Sequence, residues 1–295
     1  SDFIRQNSIK SKFTENETWA ILTSDEQNIR KKIQSIGTPL KEWGISINYG
    51  VKTGLNEAFI ISGSKRDELI KVDSNSKDLI KPLLRGRDIQ KYSFEFADQY
   101  LITAYHGSYK ILETEYPAIY DHLRQFEDKL KERGQVKFTS SGKKILKTSY
   151  SGQHHWLELD NNPSQKYMDD FSKQKIVWKR VGSLLKFSLD NDAHVCLDST
   201  CFAVGEHIEY LVAFLNSCVG NYLLKDSPTT GTGDLIVSVQ AIEPLKIPIP
   251  NKESEGKITR LLKQEAFLEI DREIQKLYSL TEYEMETLCS LIKYY

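Results

Sequence analysis

Between Lys175 and Leu224 the hydrophobic rhythm of the chain changes, and that change limits the fold more than any other stretch. "KIVWKRVG", "LLKFSLD" and "TCFAV" are short apolar runs, whereas "IEYLVAFLNSCVGNYLL" is one long apolar stretch with Gly220 near its middle. Short runs rich in Val, Ile, Phe and Trp read as strands, and a longer one reads as a buried helix. Strands of this kind need helices to cover them. The expectation is therefore an α+β fold, a β-rich unit with packed helices, followed by a C-terminal helical segment.

The rest of the chain fits that frame. Residues 1–18 are polar and read as a linker or arm. "WAILTSDEQNIRKKIQSIG" reads as a helix capped by Ser24, with Ile29, Ile33 and Ile36 on one face and Gly37 and Pro39 as its stop. "WGISINYGVKTGLNEAFIIS" looks like strand, turn, strand, and "YLITAY" like another strand. "ETEYPAIYDHLRQFEDKLKERG" reads as a helix with Ile119, Leu123, Phe126 and Leu130 at helical spacing and Gly134 at its end. The polar stretch "QVKFTSSGKKILKTSYSGQ" reads as a long loop, "LIVSVQAI" as a strand and "PLKIPIP" as a stiff extended segment. Beyond residue 250 the character changes again. Ile258, Leu261, Leu262, Leu268 and Leu277 give a helical stripe, and Thr281 with Glu284 has the form of a capping box. The expected division is an arm at 1–18, a recognition unit at 19–250 and a helical spacer or assembly segment at 251–295.

Several function classes find no support in the sequence. No apolar run approaches the ~20 residues that cross a bilayer, so no membrane partner is expected. The opening "SDFIRQNSIKSKF" lacks both an initiator Met and the apolar core of a signal peptide, so the chain reads as a segment of a longer protein. Four sparse cysteines read as reduced, and the expected compartment is the cytoplasm. Lys52 and Thr53 stand before Gly54, with no glycine five residues ahead of Lys52, so "GVKTGLN" is not a phosphate-binding P-loop. It reads instead as a bend with Gly50 and Gly54 at positive φ, in which Lys52, Thr53 and Asn56 are candidates for touching a phosphodiester backbone. "SPTTGTGD" precedes a strand rather than a helix, which argues against a dinucleotide loop. Its Thr229, Thr230, Thr232 and Asp234 are either an ordered surface loop or groups presented to DNA.

His194, Cys196, Cys201 and His207 match no zinc template, and no metal site is expected. Asp121, Glu127 and Lys129 have the residue types of a metal-dependent nuclease, but they fall on a helix face of mixed charge that also suits plain solvation. No nucleophile paired with a base is evident, and no catalytic residue is assigned.

Charge distribution says more. The whole chain is balanced, with 40 basic and 41 acidic residues. From Lys129 to Lys186, however, there are 13 Lys or Arg against 5 Asp or Glu. Lys143, Lys144 and Lys147 fall in the polar loop, and Lys179 and Arg180 follow Trp178. Tyr150, Trp156 and Phe187 lie among them, and cations beside aromatics suit a nucleic-acid backbone. A solvated basic face is the competing reading. Arg85 and Arg87 flank Gly86. Each is a phosphate contact, a bidentate reader of guanine, or one arm of a salt bridge with Asp88.

"YGVKTGLNEAFII", "LIKPLLRGRDIQKY", "YPAIYDHLRQFEDKLKERG", "HHWLEL", "KQKIVW" and "YLVAFLNSCVGNYLL", in this order, resemble the TaqI-like C-terminal specificity domain. That domain occurs in adenine-N6 DNA methyltransferases and type IIG restriction-modification enzymes. The resemblance spans about residues 19–250 and implies a target-recognition domain, similar also to those of type I specificity subunits. It implies double-stranded DNA as partner and a methyltransferase domain of the same parent chain. Residues 251–295 then space the unit or join two copies. The parent's S-adenosylmethionine loop and Asn-Pro-Pro-aromatic motif are not found here. Asn162-Pro163-Ser164-Gln165 lacks the second proline and the aromatic. The resemblance thus implies no cofactor in this segment, with S-adenosylmethionine, and Mg2+ if the parent also cuts, held elsewhere.

Overall fold

The computed structural model describes residues 23–133 and 154–292, with backbone alone at 137–138 and 144–145. The helices run α1 (Ser24–Ser35), α2 (Asn56–Phe59), α3 (Gly63–Val72), α4 (Ser76–Leu79), α5 (Tyr109–Glu115), α6 (Pro117–Arg124), α7 (Glu127–Glu132), α8 (Gln165–Asp169), α9 (Ile208–Asn216), α10 (Cys218–Leu224), α11 (Val239–Ile242), α12 (Lys252–Lys263), α13 (Phe267–Leu277) and α14 (Glu282–Ser290). The strands run β1 (Thr38–Pro39), β2 (Ile45–Tyr49), β3 (Ile60–Ser62), β4 (Ile80–Leu84), β5 (Gln99–Ile102), β6 (Lys137–Phe138), β7 (Lys144–Ile145), β8 (Lys175–Lys179), β9 (Val181–Gly182), β10 (Phe187–Asp190), β11 (Val195–Cys196), β12 (Thr200–Gly205), β13 (Leu235–Ile236) and β14 (Lys246–Ile247).

Two four-stranded sheets organise the molecule. The first is antiparallel, in the order β10-β8-β12-β2, and the second has the order β11-β4-β5-β3. The first sheet separates two apolar cores. Ile176, Trp178, Cys201 and Ala203 face a core built with α1, α9, α10 and α12–α14. Val177, Phe202 and Val204 face a second core shared with the other sheet and α2–α8. Alternate residues of one strand thus enter different cores, which is why "KIVWK" and "TCFAV" are apolar without interruption. The α+β class holds, and packing runs across residue 250. Ile258, Ile270, Ile274 and Leu288 of the last three helices sit in the same core as Ile29 and Tyr210.

Several local expectations are corrected. "WGISINYGVKTGLNEAFIIS" is not one hairpin, because β2 and β3 belong to different sheets. Gly54 has φ +70°, but Gly50 is there for proximity, since a Cβ on it would lie 2.1 Å from the Leu197 carbonyl oxygen. Thr23, not Ser24, caps α1 by accepting from the Glu26 amide. The long helix expected over 113–134 is three short ones, with Pro117 opening α6. The long apolar helix breaks at Ser217, whose hydroxyl accepts from the Gly220 amide and starts α10. "LIVSVQAI" is a two-residue strand followed by α11. Leu268 of the expected apolar stripe is 71% exposed. The capping box of Thr281 and Glu284 is present at α14.

The cysteine expectation also changes. Cys196 and Cys201 are free and buried, but Cys218 and Cys289 are joined by a disulfide. Their 71-residue separation hides the pairing, which arises because α10 and α14 pack together.

Candidate nucleic-acid interface

β2 and β8 both pair antiparallel with β12, so they run in the same direction and end at the same end of the sheet. Lys179 lies opposite Thr200 in the register, and the Gly50 amide donates to the Thr200 carbonyl from the other side. Gly50 and Lys179 therefore stand roughly 10 Å apart, two strand spacings, with Lys52 and Arg180 just beyond them. Gly86 lies against the Lys179 stem, where a Cβ would meet Lys179 Cγ at 2.9 Å. The Arg85–Gly86–Arg87 turn is thereby laid on the same sheet end. β13 pairs with β9 and brings the 229–234 loop beside Gly182. Four segments remote in sequence thus meet at one end of one sheet.

The gathered side chains are in different states. Lys179 and Arg87 are exposed, and neither makes an ion pair among the described residues. Arg85 is committed. Its Nε and Nη2 donate to Asp88 at 2.9 and 2.8 Å, and its amide donates to the same carboxylate. Burial alone would raise the Asp88 carboxyl, but these bonds hold it below the usual carboxylate range. The salt-bridge reading therefore applies to Arg85, while Arg87 remains available to a ligand.

Lys52 Nζ lies 3.1 Å from Asp160 Oδ2. The Arg180 guanidinium sits 5.8 Å from the centre of the Tyr49 ring. Both residues line a cleft of about 550 Å³ walled by Asn48–Lys52, Asp160–Ser164, Tyr167 and Asp198. Burial would raise the Asp160 carboxyl, but the Lys52 ammonium and the Asn161 amide hold it low.

The other candidates divide between buried and exposed positions. Thr53 is buried, and its hydroxyl donates to Asn56 Oδ1 at 2.6 Å, which leaves no hydroxyl for a phosphate. In the threonine loop, the Thr230 and Thr232 hydroxyls bond each other at 2.8 Å and the Asp234 amide donates to Thr230 Oγ1. Thr229 and Thr232 remain exposed, with Asp234 half-buried. Trp156 and Phe187, expected among surface cations, lie in the cores, as does the Lys175 side chain. Lys143, Lys147, Tyr150 and the side chain of Lys144 lie outside the described residues.

Arg133 is a residue whose role charge counting does not reveal. Buried over the Phe59 ring, it donates to the carbonyls of Thr53, Trp156 and Glu158. It ties the β2 end to the 156–160 segment and so holds two walls of the cleft together. Its position at a helix C-terminus among other cations gives no sign of this in the sequence.

The alternative sets disperse. Glu127 pairs with Lys131 and Lys129 with Glu57, so the nuclease triad does not converge. His194 bonds Asp190 and His207 bonds Glu255, so each histidine of the Cys/His set is engaged by a carboxylate.

The architecture is α+β, with helices covering the sheets. The sequence profile of the TaqI-like C-terminal specificity domain matches residues 81–249, and the chain belongs to that family. It is 23% identical over 222 residues to the type II methyltransferase M.MjaIV of Methanocaldococcus jannaschii, covering 74% of this chain and 69% of that one. Among solved structures it resembles the type IIL restriction-modification enzyme MmeI in complex with DNA. The TM-score is 0.57 at 9% identity, over 87% of this chain and 37% of that one. The chain therefore spans little more than a third of that enzyme. The type IIG restriction endonuclease BpuSI aligns at a TM-score of 0.45 and 11% identity, over 90% of this chain and 33% of that one. Among the described residues no helix is long and apolar enough to cross a membrane.

Proposed function

We propose that this chain is a sequence-specific double-stranded DNA recognition module of an adenine-N6 methyltransferase, or of a fused restriction-modification enzyme. It holds the duplex for chemistry performed by another part of the parent, which binds S-adenosylmethionine. The observation that carries the reading is the meeting of Lys52, Arg87, Lys179 and Arg180 at one sheet end from separate segments. Family membership supports it. Phosphate contacts supply affinity and register, and base-edge contacts supply sequence choice. Arg87 and Lys179 are the side chains best placed for phosphates. Lys143, Lys144 and Lys147 stay phosphate candidates on their sequence alone, and Thr229, Thr232 and Asp234 flank the proposed contact.

Fluorescence anisotropy on labelled duplexes across a salt series tests this. Affinity should fall steeply with salt. Arg87→Ala and Lys179→Ala should each weaken all duplexes alike and lower the log–log salt slope by about one. Arg85→Ala should instead mainly lower stability, because its removal strands Asp88. Absence of any duplex binding at low salt would refute the proposal.

A further inference from the structure

We infer that the helices beyond residue 250 take part in DNA binding by positioning: the Phe267 ring of α13, stacked on Tyr92, holds the hairpin whose base presents Arg87. Phe267 and Tyr92 are positioning residues for the Arg87 contact, and the inference rests on the DNA-binding reading above.

The hairpin is built from residues 88–95. The Glu95 amide donates to the Asp88 carbonyl at 2.9 Å, Ile89 and Phe94 form an antiparallel bridge, and the Gln90 amide donates to the Ser93 carbonyl at 2.8 Å. Tyr92 therefore stands at the tip, and Arg87 immediately precedes the base. Asp88 is bonded to Arg85, and Gly86 lies on the Lys179 stem. Ile89 anchors the first arm in the second core. A two-stranded hairpin is marginally stable by itself in water. Anchors at the base alone would leave it able to tilt, and Arg87 would tilt with it.

Contacts at the tip remove that freedom. The Tyr92 amide donates to the Phe187 carbonyl at 3.0 Å, and Lys186 Nζ donates to Gln90 Oε1 at 2.6 Å. The rings of Tyr92 and Phe267, both half-buried, have centroids 4.1 Å apart and lie within 5° of parallel. Tyr92 has φ +67°, a conformation that a tyrosine seldom adopts and keeps only where its surroundings hold it. The platform beneath the ring is fixed in turn. Ile270 and Ile274 of α13 are buried in the first core, and the Asp271 carboxylate accepts from the Cys218 amide at 2.8 Å. The hairpin thus bridges the two cores, with Ile89 in one and the Tyr92 ring on a helix of the other. An exposed arginine reaches a phosphate with less ordering cost when its backbone is already held.

Anisotropy on a labelled duplex, with the full chain, measures the coupling in double-mutant cycles. Phe267→Ala should weaken binding about 2- to 10-fold, the size of an aromatic-pair contribution. It should have no further effect when Arg87 is already Ala, whereas its effect should add to that of Lys179→Ala. Phe267→Tyr, which keeps the stack, should bind as wild type does. Tyr92→Asn removes the other ring at a surface tip while tolerating the left-handed backbone, and it should show the same coupling should Phe267→Ala unfold. A merely structural role would weaken binding equally with and without the Arg87 side chain, and that result would overturn the inference. So would wild-type affinity in both Phe267→Ala and Tyr92→Asn. An Arg87→Ala chain that binds like wild type would overturn it too, since no contact would remain to position. A chain that binds no duplex at all would instead remove the DNA-binding proposal itself.

Discussion

Asp190 and Lys175 are both fully buried, with Nζ and Oδ2 2.5 Å apart. Lys175 also donates to the Phe171 carbonyl, and His194 Nδ1 lies 2.9 Å from Asp190 Oδ1. Burial by itself would raise the Asp190 carboxyl, but the bonds from His194 and Lys175 outweigh it and hold the group below its ordinary value. A depressed folded value has a definite sign. The stabilisation is complete above the unfolded value near pH 4 and is lost as pH falls through the folded value. Urea unfolding from pH 6 to pH 2 should show this loss, and Asp190→Asn should flatten that part of the curve. At pH 7, Asp190→Ala strands a buried ammonium and should cost about 3–5 kcal/mol. A variant as stable as wild type would show that the pair contributes nothing. The same residues show a limit of sequence reading. Lys175 and Arg133 count toward the basic excess of 129–186, yet both side chains are buried and serve the fold. Composition gives the charge of a segment but not which of its charges reach the surface.

Among the elements, the end of β2 shows what a glycine can mean. Val51 donates to the Cys196 carbonyl at 2.7 Å and Asp198 donates back to Val51, so the strand end is bonded to the 196–198 segment. Gly50 sits under Leu197 with no room for a methyl group. Gly50→Ala should therefore destabilise by about 1–3 kcal/mol, the usual cost of overpacking. Gly231→Ala, where a Cβ meets nothing within 4 Å, should cost far less. Chemical denaturation of the two variants checks this, and equal small losses would mean that Gly50 is only a turn residue. The strands of 175–205 and the capping box were legible because each is a local pattern. Helix lengths were not. The periodicity of "EYPAIYDHLRQFEDKL" is right for a helix, but Pro117 begins a new helix and the chain bends again at Phe126 to bring Leu130 into the second core. Leu268 matched the apolar stripe yet faces outward, because the stripe joins residues of two helices separated by the turn at 264–266.

At the scale of the molecule, one sheet separates two cores, and a covalent link secures the layer on one side. The Cys218–Cys289 bond ties α10 to the last helix across 71 residues. In the chain-entropy account a loop of this length contributes about 4 kcal/mol. Cys289→Ser should lower the thermal midpoint in the absence of reductant and have little effect in its presence; no difference between the two conditions would mean that the link adds no stability. The cation-bearing sheet end has a similar long-range origin. The sequence by itself determined the class of fold, through the apolar runs of 175–224, and the family, through ordered strings such as "LIKPLLRGRDIQKY". It also placed a basic excess in the middle of the chain. Only the tertiary structure decided which cations share a surface, that Arg85 is bound to Asp88 while Arg87 is not, and that Asp160, Asn162 and Asp198 meet Lys52 in one cleft. The physical reason is range. Strand and cap signals act over a few residues, whereas a recognition surface is made by strand register and side-chain pairing between segments far apart in the chain.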